Sequence, residues 1–378
     1  MPKSISKIMN KLLKSNDFLG EVYKKSKSPQ HFNDLLGMVL EYYITTRDTK
    51  LRSLDEIAHC DYDSDNEKVI KNKKRNETIR QAKTRNIITN GYVTHSANGY
   101  NKRSIKKYGL GHKKIYDEQL GKDLLFLEEK TEKSEYVSNQ VNSTSEIYYT
   151  SPGANSFHYA TSFSPERLFL GPLRQDKNNA LPIIIGETKE EYMIRLAERK
   201  VRELTSPKDQ KKVLKVYSRV IHKLCSAPPI MVLIPIKNKK FELNASNAYQ
   251  VTDNPRSLSD WIDIMASKDT GFFSRLQGGS DHSNMGNLVS IGVKVPANCL
   301  EIIDVPDGFE VLQKIAIAQG MKKGDQIDFF TGKPYVQQNN LQKNSPNSME
   351  NAPTIATTIN QVNSSNTFAE NFKKKIGR

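Results

Sequence analysis

Two tyrosines, Tyr148 and Tyr159, stand eleven positions apart in the stretch IYYTSPGANSFHY, residues 147–159. The first leaves a run with strand character. The second sits on a helix-like segment beyond a Ser-Pro-Gly turn. Aromatic side chains so spaced have two uses: they pack a core, or they wall a slot in which a flat, cationic ring is held by stacking. Tyr149 competes with Tyr148 for the outward position, because strand neighbours alternate faces. Ser156, three residues before Tyr159, adds a small hydroxyl to the same segment. Upstream, the strand YVTH ends on His95, followed by Ser96. Asn287 opens the strand-like run NLVSIGV. Its amide donates and accepts hydrogen bonds but neither acts as a base nor carries charge.

The elements that must position these residues are legible in outline. Residues 1–90 read as a helical region. SISKIMNKLLKS repeats apolar residues at helical spacing, and SPQHFNDLLGMVLEYY opens with Ser28 as cap and Pro29 at the first helical position. The Lys- and Arg-rich stretch 64–86 is expected to be a helix opening on a capping box, Ser64 to Glu67. The strand YVTH and a short helix stopping at Gly109 follow. Residues 188–227 form a helical pair, the first member capped by Thr188 and Glu191, the second by Ser206 with Pro207 behind it. IMVLIPIK, FELNA, NLVSIGVKV and LEIIDV read as strands, SLSDWIDIMASK and DGFEVLQKIAIAQG as helices. His222, Cys225 and Trp261 read as core. Residues 331–378 are rich in Asn, Gln and Ser without apolar periodicity, and read as a disordered tail.

Composition narrows the function classes. The chain has 378 residues, 37% hydrophobic, with a formal net charge of +15. Its apolar runs are too short to cross a bilayer, and no apolar segment follows the N-terminal MPKSISK as a secretory signal requires. Three scattered cysteines, Cys60, Cys225 and Cys299, make neither a disulfide framework nor a CxxC metal pair. Seven histidines show no zinc-ligand spacing. The positive charge admits a nucleic-acid partner. Lys dominates it, however, and Arg is the better fork for phosphate and bases, so the charge supports such a partner only weakly.

THSANGYNKRSIKKYGL, IYYTSPGANSFHY, IMVLIPIK and NLVSIGVKVPANCLEIIDV, taken in order, resemble the diphtheria-toxin and poly(ADP-ribose) polymerase branch of the ADP-ribosyltransferases. The resemblance covers residues 92–305. It implies an α+β fold: a split mixed β-sheet core over 91–330, with an N-terminal helical region and a helical insertion at about 188–227. It implies NAD as substrate, with no metal. His95 would hydrogen-bond the adenine-side ribose, and the backbone of Ser96, where the family has Gly, would meet the nicotinamide amide. The hydroxyl of Ser156 would touch that amide, and Tyr148 and Tyr159 would stack on the ring.

Two departures shape the expected activity. The family places Glu where the chain has Asn287; Asp281, Glu242 and Glu301 are the nearby acids. That argues against polymer synthesis. It leaves a mono-ADP-ribosyltransferase acting on a protein substrate, an NAD hydrolase, or a degenerate module that binds a nucleotide or a partner. The loop between His95 and Tyr148 and the pair 188–227 are insertions of the kind that choose a substrate or cover a site. The leading expectation is a mono-transferase, a bacterial effector or toxin, cytoplasmic or delivered into a host cell.

Overall fold

The computed structural model describes residues 4–59, 69–72, 75–78, 91–111, 118–131, 146–150, 152–161, 180–238, 241–242, 248–250, 288–291, 294–329 and 331–335. Residues Met1–Tyr335 form one compact unit, and Val336–Arg378 are a second. Asn287, Asp281, Trp261, Cys60, SPERLFLG and SLSDWIDIMASK all lie outside the described residues.

The N-terminal elements are α1 (Ile5–Leu12), α2 (Asn16–Lys25), α3 (Pro29–Thr46) and α4 (Leu54–His59). In α1, Ile5, Ile8, Met9 and Leu12 repeat at helical spacing and are all buried. Ser28 caps α3 by accepting from the His31 N–H at 3.1 Å, and the helix ends on Arg47 in the left-handed conformation, φ 56°. Every residue of α3 from His31 to Ile44 is buried. A helix covered on all sides is a core element, not a surface cap.

Where the structure describes the stretch expected as a helix at 64–86, it is not helical. β1 (Val69–Asn72) and β2 (Arg75–Thr78) pair antiparallel instead, with Asn72 opposite Arg75. The segment has basic residues throughout and no apolar stripe for a helix to bury, so its helical capping signal had no packing to support it. β3 (Tyr92–Ala97) follows, then α5 (Lys102–Tyr108), α6 (Glu118–Thr131), β4 (Glu146–Tyr149), α7 (Ala154–Thr161) and β5 (Ile183–Ile184). Next are α8 (Lys189–Leu204), α9 (Pro207–Cys225), β6 (Ile230–Pro235), β7 (Lys237–Asn238), β8 (Phe241–Glu242), β9 (Ala248–Gln250) and β10 (Leu288–Ile291). β11 (Glu301–Asp304), α10 (Gly308–Ala318) and β12 (Gln326–Ile327) complete the order.

The fold is α+β. Two three-stranded sheets, in the orders β11-β6-β3 and β4-β10-β9, lie edge to edge. One antiparallel bridge joins them: the Thr94 N–H donates to the Thr150 carbonyl at 2.8 Å, and the Thr150 N–H returns a bond of 2.9 Å. The sheet is therefore split between β3 and β4. Every described pairing is antiparallel, where a mixed sheet was expected.

Strand alternation sends β6 to two cores. Met231 and Leu233 join α1, α2, α3, Phe157 and Ala160 of α7, and Ile303 of β11. Ile230, Val232 and Ile234 join Val93, Ala97, Ile147 and Tyr149, closed over by Ile105, Leu110 and Val295. A third core gathers α6, α8, α9, part of α10 and the β5–β12 ribbon. Thus the segment inserted after His95 and the pair 188–227 pack together. Arg219 of α9 grips Asp123 of α6 with two bonds, 2.8 and 3.2 Å, and Thr131 meets the Tyr217 hydroxyl at 3.1 Å.

Candidate functional site

The site residues gather around the join of the split sheet. Thr94, at the centre of that join, is fully buried. Its hydroxyl reaches Ser156 Oγ at 2.9 Å and the Thr150 carbonyl at 3.2 Å. Ser96, two residues along the same face of β3, donates from Oγ to the Ser156 carbonyl at 3.1 Å. Helix α7 is thereby docked on β3 through Ser156, which has no exposed surface. Tyr159 lies one helical turn further along α7. It is half-buried, edge-on to the His158 ring with centroids 5.9 Å apart.

His95 falls between Thr94 and Ser96 and so faces the other way. Its cross-strand partner is Val232, of the core holding Val93 and Ala97, whereas the partner of Ser96 is Met231, of the core under α7. His95 is half-buried. The Thr94–Thr150 bridge is isolated: among the described residues no further pairing joins β3 to β4. Tyr149 is buried in the core on the His95 side. The structure thus brings Ser96 and Ser156 together on one side of the sheet, with Tyr159 on the same helix as Ser156. His95 shares its side with Tyr149.

β10 pairs with β4, Leu288 opposite Tyr149 and Val289 opposite Tyr148. Asn287, outside the described residues, precedes that pair directly in sequence. Of the three alternative acids, Glu301 is committed elsewhere. Its carboxylate accepts from Ser4 Oγ, from the Ser6 N–H at 2.9 Å and from the Tyr92 hydroxyl at 3.1 Å, tying α1 to the sheet. Burial first, then the Glu301 charge, push the Tyr92 hydroxyl above its ordinary pKa. Glu242 is on β8, in a ribbon with β7.

Three contacts that spacing alone does not reveal complete the site. Thr94 and Thr150 form the junction. The third is Glu41 of α3, buried at 6% exposure, whose carboxylate lies against Gly153 in the turn before α7. Acidic and amide residues inside an otherwise apolar helix, FNDLLGMVLE, were the available signal.

Among the described residues, no group of three or more His, Cys, Asp or Glu is placed to hold a metal ion. None of the described helices is long and apolar enough to cross a membrane. Cys225 and Cys299 are half-buried, far apart in sequence, and in no disulfide among the described residues. Comparison with protein-family models, curated proteins and solved structures found no match to the chain.

Proposed function

We propose that the chain is an NAD-dependent mono-ADP-ribosyltransferase acting on a protein. The observation that carries this reading is the join at Thr94 and Thr150. There a split sheet sets the strand of His95 and Ser96 beside the strand of Tyr148 and Tyr149, with the helix of Ser156 and Tyr159 packed on the first of them. Segments separated by the whole inserted α6 region meet at one seam, as the resemblance to the transferases requires. In this reading the tyrosines stack on nicotinamide, and His95 binds the ribose. The protein orients a leaving group whose departure builds positive charge on the sugar. Asn287 would sit at the edge of that site as a hydrogen-bonding amide. Without a carboxylate there, transfer of a single ADP-ribose fits the residues better than chain growth.

Three observations support a second reading, a module that binds nucleotide without turning it over. The Ser156 hydroxyl is buried against Thr94 and not open to a ligand amide, Glu301 is occupied by α1, and His95 faces the opposite side of β3 from Ser96 and Ser156. One assay separates the readings. Nicotinamide release from NAD is measured with the full chain, alone and with cell lysate, beside His95→Ala and Tyr159→Ala. The transferase reading expects release with label on lysate proteins, and a loss of about a hundred-fold in each variant. Saturable NAD binding without release by a folded protein would decide for the binding module.

A further inference from the structure

Helix α3 holds α7 at both of its ends. At the N-terminal end, Gly153 adopts φ 139°, and a Cβ added there would lie 2.6 Å from Glu41 Oε1. The positive φ favours glycine there, and the Glu41 carboxylate lies against the space a side chain would take. At the C-terminal end, the Thr161 hydroxyl donates to Asn33 Oδ1 at 2.9 Å. Asn33 and Glu41 are eight residues apart on α3, and Gly153 and Thr161 are eight apart across α7. The two helices therefore run antiparallel, gripped at matching heights. Between the grips, Phe157 and Ala160 enter the same core as Phe32, Leu36 and Leu40.

These polar groups are costly choices for stability alone. Asn33 has no exposed surface, and its Nδ2 has no hydrogen-bond partner among the described atoms. Leucine has the same number and branching of side-chain heavy atoms and strands no donor. Glu41 is a buried carboxylate set against the turn that opens α7. Polar contacts fix geometry where apolar packing lets a helix slide, since a hydrogen bond is lost over a displacement that a methyl contact tolerates.

We propose that Glu41 and Asn33 are positioning residues for the candidate NAD site. α3 fixes the axial position of α7, and so sets Tyr159 and Ser156 against the β3–β4 seam. This inference rests on the reading of that seam as an NAD site, and adds that the N-terminal region is part of the site's machinery.

The test uses the full chain, with Glu41→Gln, Asn33→Leu and Thr161→Val beside wild type. Hydrogen exchange of α7 amides is followed with those of α9 as internal reference, and NAD affinity is measured by calorimetry. The expected result is α7 exchange about ten-fold faster in each variant with α9 unchanged, and NAD affinity weakened by about ten-fold or more. Unchanged α7 exchange in all three variants overturns the grip. Faster exchange with unchanged NAD affinity overturns the positioning role. Turnover lost in Glu41→Gln with exchange and affinity intact also overturns it, because the carboxylate would then act in the chemistry. If wild type neither binds NAD nor releases nicotinamide, the NAD reading fails while the exchange arm still decides the grip. Should Glu41→Gln not fold, Asn33→Leu and Thr161→Val carry the same outcomes.

Discussion

Gly109 ends α5 with φ 85° and ψ −161°, a region that essentially only glycine visits. A Cβ there would also collide with the Val295 carbonyl oxygen, whose bond from the Leu110 N–H closes the core under His95. Gly109→Ala is expected to cost at least about 1–3 kcal/mol from backbone strain alone, read as a fall in the urea midpoint at unchanged slope. A shift within error would mean that the turn relaxes freely. The position was legible in sequence because a helix stop is a local signal, a Gly after a basic last turn. The sidedness of the site was not legible to the same degree. Alternation alone says that His95 and Ser96 oppose one another, and likewise Tyr148 and Tyr149. Which member of one pair shares a face with which of the other depends on the Thr94–Thr150 register, and no local pattern encodes a register between strands so distant in sequence.

The turn from α3 to α4 is organised by Asp48. Its carboxylate accepts from the Lys50 N–H at 2.9 Å, from Arg52 Nε at 2.9 Å and from the Tyr42 hydroxyl at 3.0 Å. The Lys50 N–H and then the Arg52 guanidinium hold it at about 2, below its ordinary 3.8. A depressed carboxyl contributes stability above the unfolded value, lost as pH falls through the folded one. The contribution is therefore complete above pH 3.8 and disappears toward about pH 2. Asp48→Asn is expected to lower Tm at neutral pH and to flatten its decline across that window. An equally steep decline in the variant would assign the acid sensitivity to other groups. Helices with their own caps, α3 and α8, were readable at this scale: the Thr188–Glu191 box forms in both directions. The hairpin β1–β2 was not, because its residues satisfy a helical cap rule while offering nothing for a helix to bury. Nor was the union of α6 with α8 and α9, which depends on a contact between Asp123 and Arg219 that joins segments far apart in the chain.

At the scale of the whole molecule, the N-terminal helices and the sheet share one interior. α1, α2 and α3 cover Met231, Leu233, Ile303, Val305, Phe157 and Ala160, and Glu301 fastens the start of α1 to the sheet edge. Removing residues 1–59 would expose that face of the sheet, leave α7 without its second wall and strand the Glu301 carboxylate. A chain beginning at residue 60 is therefore expected to lose its cooperative thermal transition and to bind a dye for exposed apolar surface. Adding back a separate 1–59 polypeptide is expected to restore both, since the interface is a core cut in two and not a linker between modules. A shortened chain that melts cooperatively and stays monomeric would show instead that the sheet and the inserted helices stand alone. In that case α3 would be an accessory to α7, and the site would have to hold its geometry through Thr94, Ser96 and Ser156 by themselves.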